Sequence, residues 1–451
     1  MGCLIAQAAA KRPRALALRE GERSWTWAEL DADVGRRVAQ LEREGLGRGA
    51  RYGALTATSA DLVAAFFACQ RLGLTLVPFN VRLTAAELAP LVARAALAGA
   101  LASPRHVEAL AGVTWAPRRP PGEGEPPALA LFTSGTTGAP KLVYLGRDQL
   151  EASARAAAQR VPVGADDRWL LTMPLFHVGG LAMLTRWALA QGTLELHPGF
   201  DEAAVWRALD GGATQVSLVA QTLRRLLRAS PASAPRSLRA VLVGGGPCPP
   251  GVIAEARERG FPVLQTYGLT EACSQVCTEV PGAADGSTCG PPLPGVRVEI
   301  RDESGAQVPP SVPGRIFVAG PTVSPPLGPW LDTGDFGQLD AGGRLSVLSR
   351  REDLIISGGE NVYPAELERV ISSHPAVEEV AVIPIADERW GQAGLAAVVL
   401  RPRGELGELE RWARGRLAAF RVPKQWRRLD ALPRTPTGKL DRPALRRALE
   451  G

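Results

Sequence analysis

The sequence predicts a layered α/β protein: a large N-terminal domain of stacked α/β subdomains plus a β-rich subdomain, followed by a small α+β domain. Three observations lead there. Short apolar strands alternate with helical periodicity along most of the chain. Several strand ends run straight into loops of Gly, Ser and Thr, the arrangement by which α/β sheets bind ligands. The pattern changes after residue 350, where a compact α+β signature begins. The division is therefore expected between 1–349 and 350–451.

The elements follow in order. Leu30, Val34, Val38 and Leu41 recur at helical spacing. Residues 54–56, 74–78 and 99–102 read as strands. Residues 117–127, PRRPPGEGEPP, are poor in apolar side chains and rich in Pro, so they form an exposed connector. Residues 128–132 are a strand, 215–218 another, 221–229 a helix, and 240–243 and 263–266 further strands. Gly and Pro crowd 281–295 and 305–314, and the alternating segments 297–300 and 315–318 beside them mark the β-rich portion. Beyond 350 come a strand at 354–356, a helix at 364–373 with Pro at its start, strands at 380–384 and 396–400, a helix at 406–420 and a strand at 425–428.

Composition narrows the function classes. Of 451 residues 45% are apolar and 22% charged, which is globular composition. A net charge of +6, without runs of like charge, gives no footing for nucleic acid. No stretch is long and apolar enough for a membrane span, and the N-terminal residues lack the basic start of a secretory signal. The six cysteines form no Cys-x-x-Cys pair and read as reduced thiols of a cytoplasmic protein rather than a zinc site. Of 52 basic residues 48 are Arg; lysine is kept only at Lys11, Lys141, Lys424 and Lys439. A chain so biased retains Lys where a compact ammonium is needed.

The densest motif is residues 133–141. Thr133, Ser134, Gly135, Thr136, Thr137 and Gly138 supply backbone N–H groups and hydroxyls after a strand, and Lys141 adds a charge; together they suit a phosphate. The spacing is not that of the kinase-type P-loop. Gly244, Gly245, Gly246 and Pro247 permit close approach to a flat ring, on which Tyr267 can stack. Thr270 and Glu271 offer oxygen ligands to phosphate and Mg²⁺. Asp335, read as part of a turn, can accept from two ribose hydroxyls. Each has an ordinary alternative as a surface turn, but phosphate, ring, metal and ribose groups on one chain make a set. His177 lies among apolar and small residues, where a packed core histidine is the ordinary alternative. Lys439 sits in PRTPTGKL, a rigid exposed loop suited to carrying a movable charge, with a solvated lysine as its alternative.

With six motifs in order, at 133–141, 174–180, 267–271, 333–335, 350–364 (RREDLIISGGENVYP) and 433–440, the chain resembles the ANL superfamily of adenylate-forming enzymes along essentially its whole length. YGLTEACSQ at 267–275 and DLIISGGENVYP at 353–364, with 175–181, are most similar to its o-succinylbenzoate–CoA ligases of menaquinone biosynthesis. The resemblance implies two half-reactions with ATP, Mg²⁺ and CoA: a carboxylate takes the α-phosphoryl group of ATP as acyl-AMP, and CoA thiolate then displaces AMP. It implies that 133–141 hold the β- and γ-phosphates, that Gly244–Pro247, Tyr267 and Gly268 border adenine, and that Asp335 and Arg350 hold ribose. Thr133 and Glu271 would bind Mg²⁺. Lys439 would bridge carboxylate and α-phosphate. A mobile C-terminal domain, hinged near Glu352 and Asp353, would then withdraw Lys439 and bring Ser357, Gly358 and Gly359 to the CoA arm, with Lys424 on CoA phosphates. His177 would shape the acyl pocket, and Ser274, Gln275 and Thr288 are the candidate donors to the ring carboxylate of 2-succinylbenzoate. A homodimer is common in the superfamily. Leu142 in place of the usual Gly, and shortened segments at 101–127 and 321–332, depart from its pattern. Activation of an amino acid is disfavoured, because Phe176, His177 and Val178 offer no carboxylate for its ammonium. The alternatives are another acyl- or aryl-CoA ligase, or a nucleotide-binding protein without chemistry.

Overall fold

A computed structural model describes residues 2–111, 113–116, 125–133, 141–324, 327–350, 353–357, 360–419, 421–435 and 438–450. Among them the strands form four sheets. The first has the order Gly99–Ala102, Arg51–Leu55, Thr75–Pro78, Leu129–Thr133, Lys141–Leu145, parallel except for the last hairpin. The second runs from Ser274–Thr278 through Val263–Leu269, Ala240–Val243, Gln215–Leu218, Arg168–Leu171 and Thr193–Leu196 to Leu16–Glu20 and Arg23–Thr26. It is parallel at its centre and antiparallel at both edges.

These two sheets share one core. Helices Trp27–Arg43, Ala60–Leu72 and Val178–Ala190 contribute buried residues to a cluster that also holds Leu18, Leu171 and Leu242 of the second sheet and Leu76, Leu129 and Leu145 of the first. At its centre Trp27 stacks on Trp187 with ring centroids 4.9 Å apart. Burying side chains of this size stabilises by about 1.5–3 kcal/mol each. The predicted helix around Leu30 starts at Trp27 because Thr26 and Glu29 form a capping box: Thr26 N–H donates to Glu29 Oε2 at 2.8 Å and Glu29 N–H to Thr26 Oγ1 at 3.3 Å.

The β-rich portion is an antiparallel meander of Arg297–Arg301, Gly314–Ala319, Leu331–Leu339 and Leu345–Arg350. The last sheet joins Glu360–Val362, Ile355–Ser357, Gly391–Leu400 and Val377–Asp387, with Gln425–Arg428 beside Gly391–Leu400. It is buried on both faces, as strand alternation allows. Val382, Ala396 and Val398 pack with Leu367, Ile371 and Leu409 of helices Pro364–Ser372 and Leu406–Arg414. Ala381, Ile383, Ala397 and Val399 pack with Leu445 of Arg442–Glu450 on the other side. Both cores draw only on residues after Arg350.

Three expectations need correction. The helix expected over 406–420 ends at Arg414, where Gly415 caps it by donating to Arg411. The strand expected over 263–266 continues to Leu269, so Tyr267 and Gly268 lie in a hairpin with Ser274–Thr278. Asp335 lies within the strand Leu331–Leu339 rather than in a turn. Gly334, at φ +75°, supplies the local kink there.

Candidate active site

The site forms where the parallel strands of the second sheet end. Ala240–Val243 delivers Gly244–Pro247; Arg168–Leu171 leads to the segment capped by His177; Val263–Leu269 delivers Thr270 and Glu271. Gly244 lies against the neighbouring strand, since a Cβ there would come within 2.6 Å of Thr266 Cγ2 and 2.9 Å of its carbonyl oxygen. Gly246 faces open space. Gly180 and Gly268 are demanded by contact: a Cβ would overlap the Pro174 carbonyl oxygen at the first and the Ser274 carbonyl oxygen at the second.

Thr133 and Lys141 are cross-strand partners at the end of their hairpin. The turn Thr270–Ala272 lies against the strand Lys141–Leu145, which brings Glu271 beside the first sheet. Ser324 fastens this junction, its N–H donating to the Glu271 carbonyl at 3.0 Å and its hydroxyl to the Tyr144 carbonyl at 2.7 Å. On the β-rich side, Asp335 Oδ2 accepts from the Tyr267 hydroxyl at 2.7 Å, and Arg350 is its cross-strand partner. Burial, reinforced by Asp335, pushes the Tyr267 phenol well above its usual range, so it stays a neutral donor.

The C-terminal portion reaches into this site. Thr435 N–H donates to Lys439 O at 2.8 Å, and Arg434 is bridged to Leu440. Lys439 is thereby laid on Gly245: a Cβ there would sit 2.8 Å from Lys439 Cε and 3.3 Å from its Nζ. Gly245 also has φ +81°, a conformation glycine tolerates. His177 senses the ammonium. Burial first, then the positive charges of Lys439 and Arg82, push its imidazole down to about 4, so it is neutral near neutral pH. Its Nε2 is buried without a hydrogen-bond partner among the described residues. Leu175 N–H donates to Thr58 Oγ1 at 3.2 Å, which anchors the segment leading to His177. The arrangement sets an ammonium, a neutral imidazole and open glycine backbone beside hydroxyl and carboxylate oxygens. That combination can stabilise developing negative charge.

The model of AMP-binding enzymes matches residues 5–326, and that of their C-terminal domain residues 366–439. The chain belongs to the AMP-binding enzyme family. Similar curated members include 2-succinylbenzoate–CoA ligase of Bacillus cereus, 36% identical over 99% of this chain and 98% of the relative, and that of Bacillus subtilis, 34% identical with the same coverage. Among solved structures, o-succinylbenzoate CoA synthetase of Bacillus subtilis in complex with the acyl-adenylate intermediate OSB-AMP matches with TM-score 0.90 and 34% identity. That match covers 99% of this chain and 98% of the other. The same synthetase with ATP and magnesium ion gives TM-score 0.87 and 33% identity, with 99% of each chain covered.

Of the residues singled out in the sequence, the structure brings Lys439 to Gly245 and near His177, Tyr267 to Asp335, and Thr133 opposite Lys141. Thr133, Lys141, Gly244–Pro247, Tyr267, Thr270, Glu271, Asp335, His177 and Lys439 are all placed as above. Ser134, Gly135, Thr136, Thr137, Gly138, Gly358, Gly359, the hinge residue Glu352 and the side chain of Arg350 lie outside the described residues. Asp353, the other hinge candidate, is buried against Arg442 at 3.3 Å and Arg446 at 3.0 Å. Ser357 is buried in its strand, and Lys424 Nζ donates to the Ala419 carbonyl at 2.9 Å; neither is brought to the nucleotide groups in this arrangement.

One of the proposed carboxylate donors is already engaged. Gln275 Nε2 donates to Thr278 Oγ1 at 2.9 Å and Thr266 Oγ1 at 3.3 Å, leaving only its buried Oε1, an acceptor, without a partner. Thr288 Oγ1 accepts from Gly290 N–H at 3.1 Å and shapes a turn. That bond does not use the Thr288 O–H, so Ser274 and Thr288 keep donors to offer. Thr58 and Ser324 were missed by the sequence reading; isolated hydroxyl residues acting on distant backbone leave no periodicity or spacing to find.

Proposed function

We infer that each residue group described above has a role in one two-step ligation. The enzyme is an ATP-dependent acid–CoA ligase that converts 2-succinylbenzoate through its acyl-adenylate to the CoA thioester, releasing AMP and pyrophosphate. A carboxylate oxygen attacks the α-phosphorus of ATP, and the bond to the β-phosphate oxygen breaks. CoA thiolate then attacks the acyl carbon, and AMP leaves. Two anions meet in the first step, so a cation between them lowers the barrier. The observation that carries the reading is the seating of Lys439 on Gly245 within reach of His177's field. Lys439 then bridges the attacking carboxylate and the α-phosphate.

Gly244–Pro247 and Tyr267 border adenine, Asp335 takes the ribose hydroxyls, and residues 133–141 take the terminal phosphates. Thr133 and Glu271 supply oxygens at the junction held by Ser324, a fit for a hard divalent cation; Mg²⁺ there neutralises phosphate charge. His177, neutral, lines the acyl pocket without adding a second positive charge beside Lys439. The domain division falls at 349/350, and the C-terminal part turns after adenylation to bring Ser357 and its neighbours to CoA, with Lys424 on its phosphates. The cytoplasm, which holds ATP and CoA, is the compartment.

The test is kcat/KM for three acids in one coupled assay. 2-Succinylbenzoate is expected to exceed 4-oxo-4-phenylbutanoate, which lacks the ring carboxylate, by up to about 10⁴, because polar groups built for a missing partner are left stranded. Octanoate should be nearly inert. Octanoate or benzoate matching 2-succinylbenzoate would move the assignment to a general acyl- or aryl-CoA ligase.

A further inference from the structure

The strand Val377–Asp387 is irregular at its start. Its pairing steps from Val377 opposite Leu400 to Glu379 opposite Val399, leaving Glu378 as an extra residue. In a regular strand Glu378 and Glu379 would point to opposite faces. A bulge re-aims side chains, and here it lets both glutamates reach one helix, Ala220–Ala229 of the N-terminal portion. Arg224 and Arg228, four apart and on one helix face, receive them. Arg224 Nη1 lies 2.6 Å from Glu379 Oε1, and Arg228 Nη2 lies 2.7 Å from Glu378 Oε1.

Glu379 has a second partner. Its Oε2 is 2.5 Å from Arg434 Nη2, and Arg434 Nη1 donates at 3.3 Å to the carbonyl of Gly438, the residue before Lys439. The Arg224, Glu379 and Arg434 side chains are only 11%, 17% and 22% exposed, so solvent screens them weakly. One carboxylate thus links the body of the molecule to the loop that carries Lys439. The same helix also meets that loop directly. A Cβ on Gly438 would lie 2.6 Å from Gln221 Oε1, with Val219 just before the helix also in contact.

We propose that Glu379 is a positioning residue for the adenylation half-reaction: by bridging Arg224 and Arg434 it fixes where Lys439 stands when the C-terminal portion is seated. The proposal rests on the reading of Lys439 given above. Arg224 belongs to one portion and Glu379 with Arg434 to the other. Their link exists only while the two portions keep this orientation, whereas Glu379–Arg434 travels with the loop. Losing the bridge loosens Lys439 in one half-reaction and leaves the other alone.

The experiment is single-turnover kinetics of both halves: pyrophosphate release from ATP and 2-succinylbenzoate, and thioester formation from supplied acyl-adenylate and CoA. Glu379→Gln keeps the shape and removes the charge. Its adenylation is expected to slow about 10- to 100-fold, the scale of misplacing a catalytic group by around an ångström, with thioester formation unchanged. Arg228→Glu and Glu378→Arg should each slow adenylation more mildly, and the double exchange should restore it, a recovery that a general folding defect would not give. Equal slowing of both halves in Glu379→Gln, or adenylation at the wild-type rate, overturns the proposal. If Glu379→Gln fails to fold, Arg224→Gln removes the same link from the other side and is judged by the same outcomes. Lys439→Ala, run in parallel, separates the two ideas. Loss of only adenylation in Lys439→Ala with no effect in Glu379→Gln overturns this inference alone. Equal loss of both halves in Lys439→Ala overturns the functional reading itself.

Discussion

The Lys439 ammonium acts on the His177 imidazole. Lys439→Ala is expected to slow acyl-adenylate formation by about 10²–10³, the scale of one preorganised contact to developing charge, while thioester formation from ready-made acyl-adenylate persists. The same substitution should move His177. Removing a neighbouring positive charge favours the imidazolium, so its pKa should rise from about 4, yet stay below the ordinary value because burial remains the larger cause. NMR titration reads this directly, with His106, His197 and His374 as internal references. An unmoved His177 would deny the coupling. The sign for stability follows: the unfolded chain protonates His177 near 6.5, so above that pH it costs the fold nothing, and from there down to about 4 it increasingly destabilises it. Ser274→Ala should narrow the preference for 2-succinylbenzoate over 4-oxo-4-phenylbutanoate by about tenfold, the worth of one hydrogen bond to a charged group; an unchanged ratio would assign the ring carboxylate elsewhere. Legibility differed among these residues. Lys439 stood out because lysine is scarce and its loop is stiffened by Pro and Gly. His177 did not, because a lone histidine among apolar neighbours looks the same whether packed or poised; its partnerless Nε2 and Lys439's approach separate the two. Gln275 was misjudged because its aim depends on Cys273 and Ser274 both adopting left-handed backbone, φ +58° and +87°, which no spacing reveals.

The elements were more legible than their ends. Strand termini running into Gly and hydroxyl residues identified the ligand edge of the second sheet, because parallel strands leave their C-terminal loops together on one side. Ends escaped where a turn is set by contacts remote in sequence. Tyr267 and Gly268 belong to a strand because Ser274–Thr278 folds back on them, and the helix from Leu406 stops at Gly415 before its apolar pattern ends. Gly268 is the pivot of that hairpin. Gly268→Ala would drive a methyl into the Ser274 carbonyl, and backbone cannot yield as a flexible side chain can. Destabilisation of about 1–3 kcal/mol is expected, the usual cost of overpacking, with a lowered Tm and weaker ATP binding as Tyr267 shifts. Wild-type Tm with unchanged ATP affinity would show the hairpin to be more accommodating than its geometry implies.

At the scale of the whole molecule, periodicity conveyed two compact portions, since each buries its own apolar faces. It did not convey how they meet, because that contact is made by scattered charges: Glu378 and Glu379 on one bulge, Arg224 and Arg228 on one helix turn. The seating of Lys439 on Gly245 has a consequence for measurement. Only four side chains in the chain carry a primary amine, and one of them lies against Gly245 when the portions are in this orientation, where a bound nucleotide would engage it. Amine acetylation followed by peptide mass spectrometry therefore becomes a footprint of domain orientation, with Lys11, Lys141 and Lys424 as built-in standards. Lys439 should label slowly with ATP and a non-reactive acid analogue bound, and quickly once a CoA analogue draws the C-terminal portion round. A labelling rate indifferent to which ligand is present would mean that the two portions do not exchange partners at all. The enzyme's near-exclusive use of arginine thus leaves Lys439 as one of very few positions that an acylating reagent can mark.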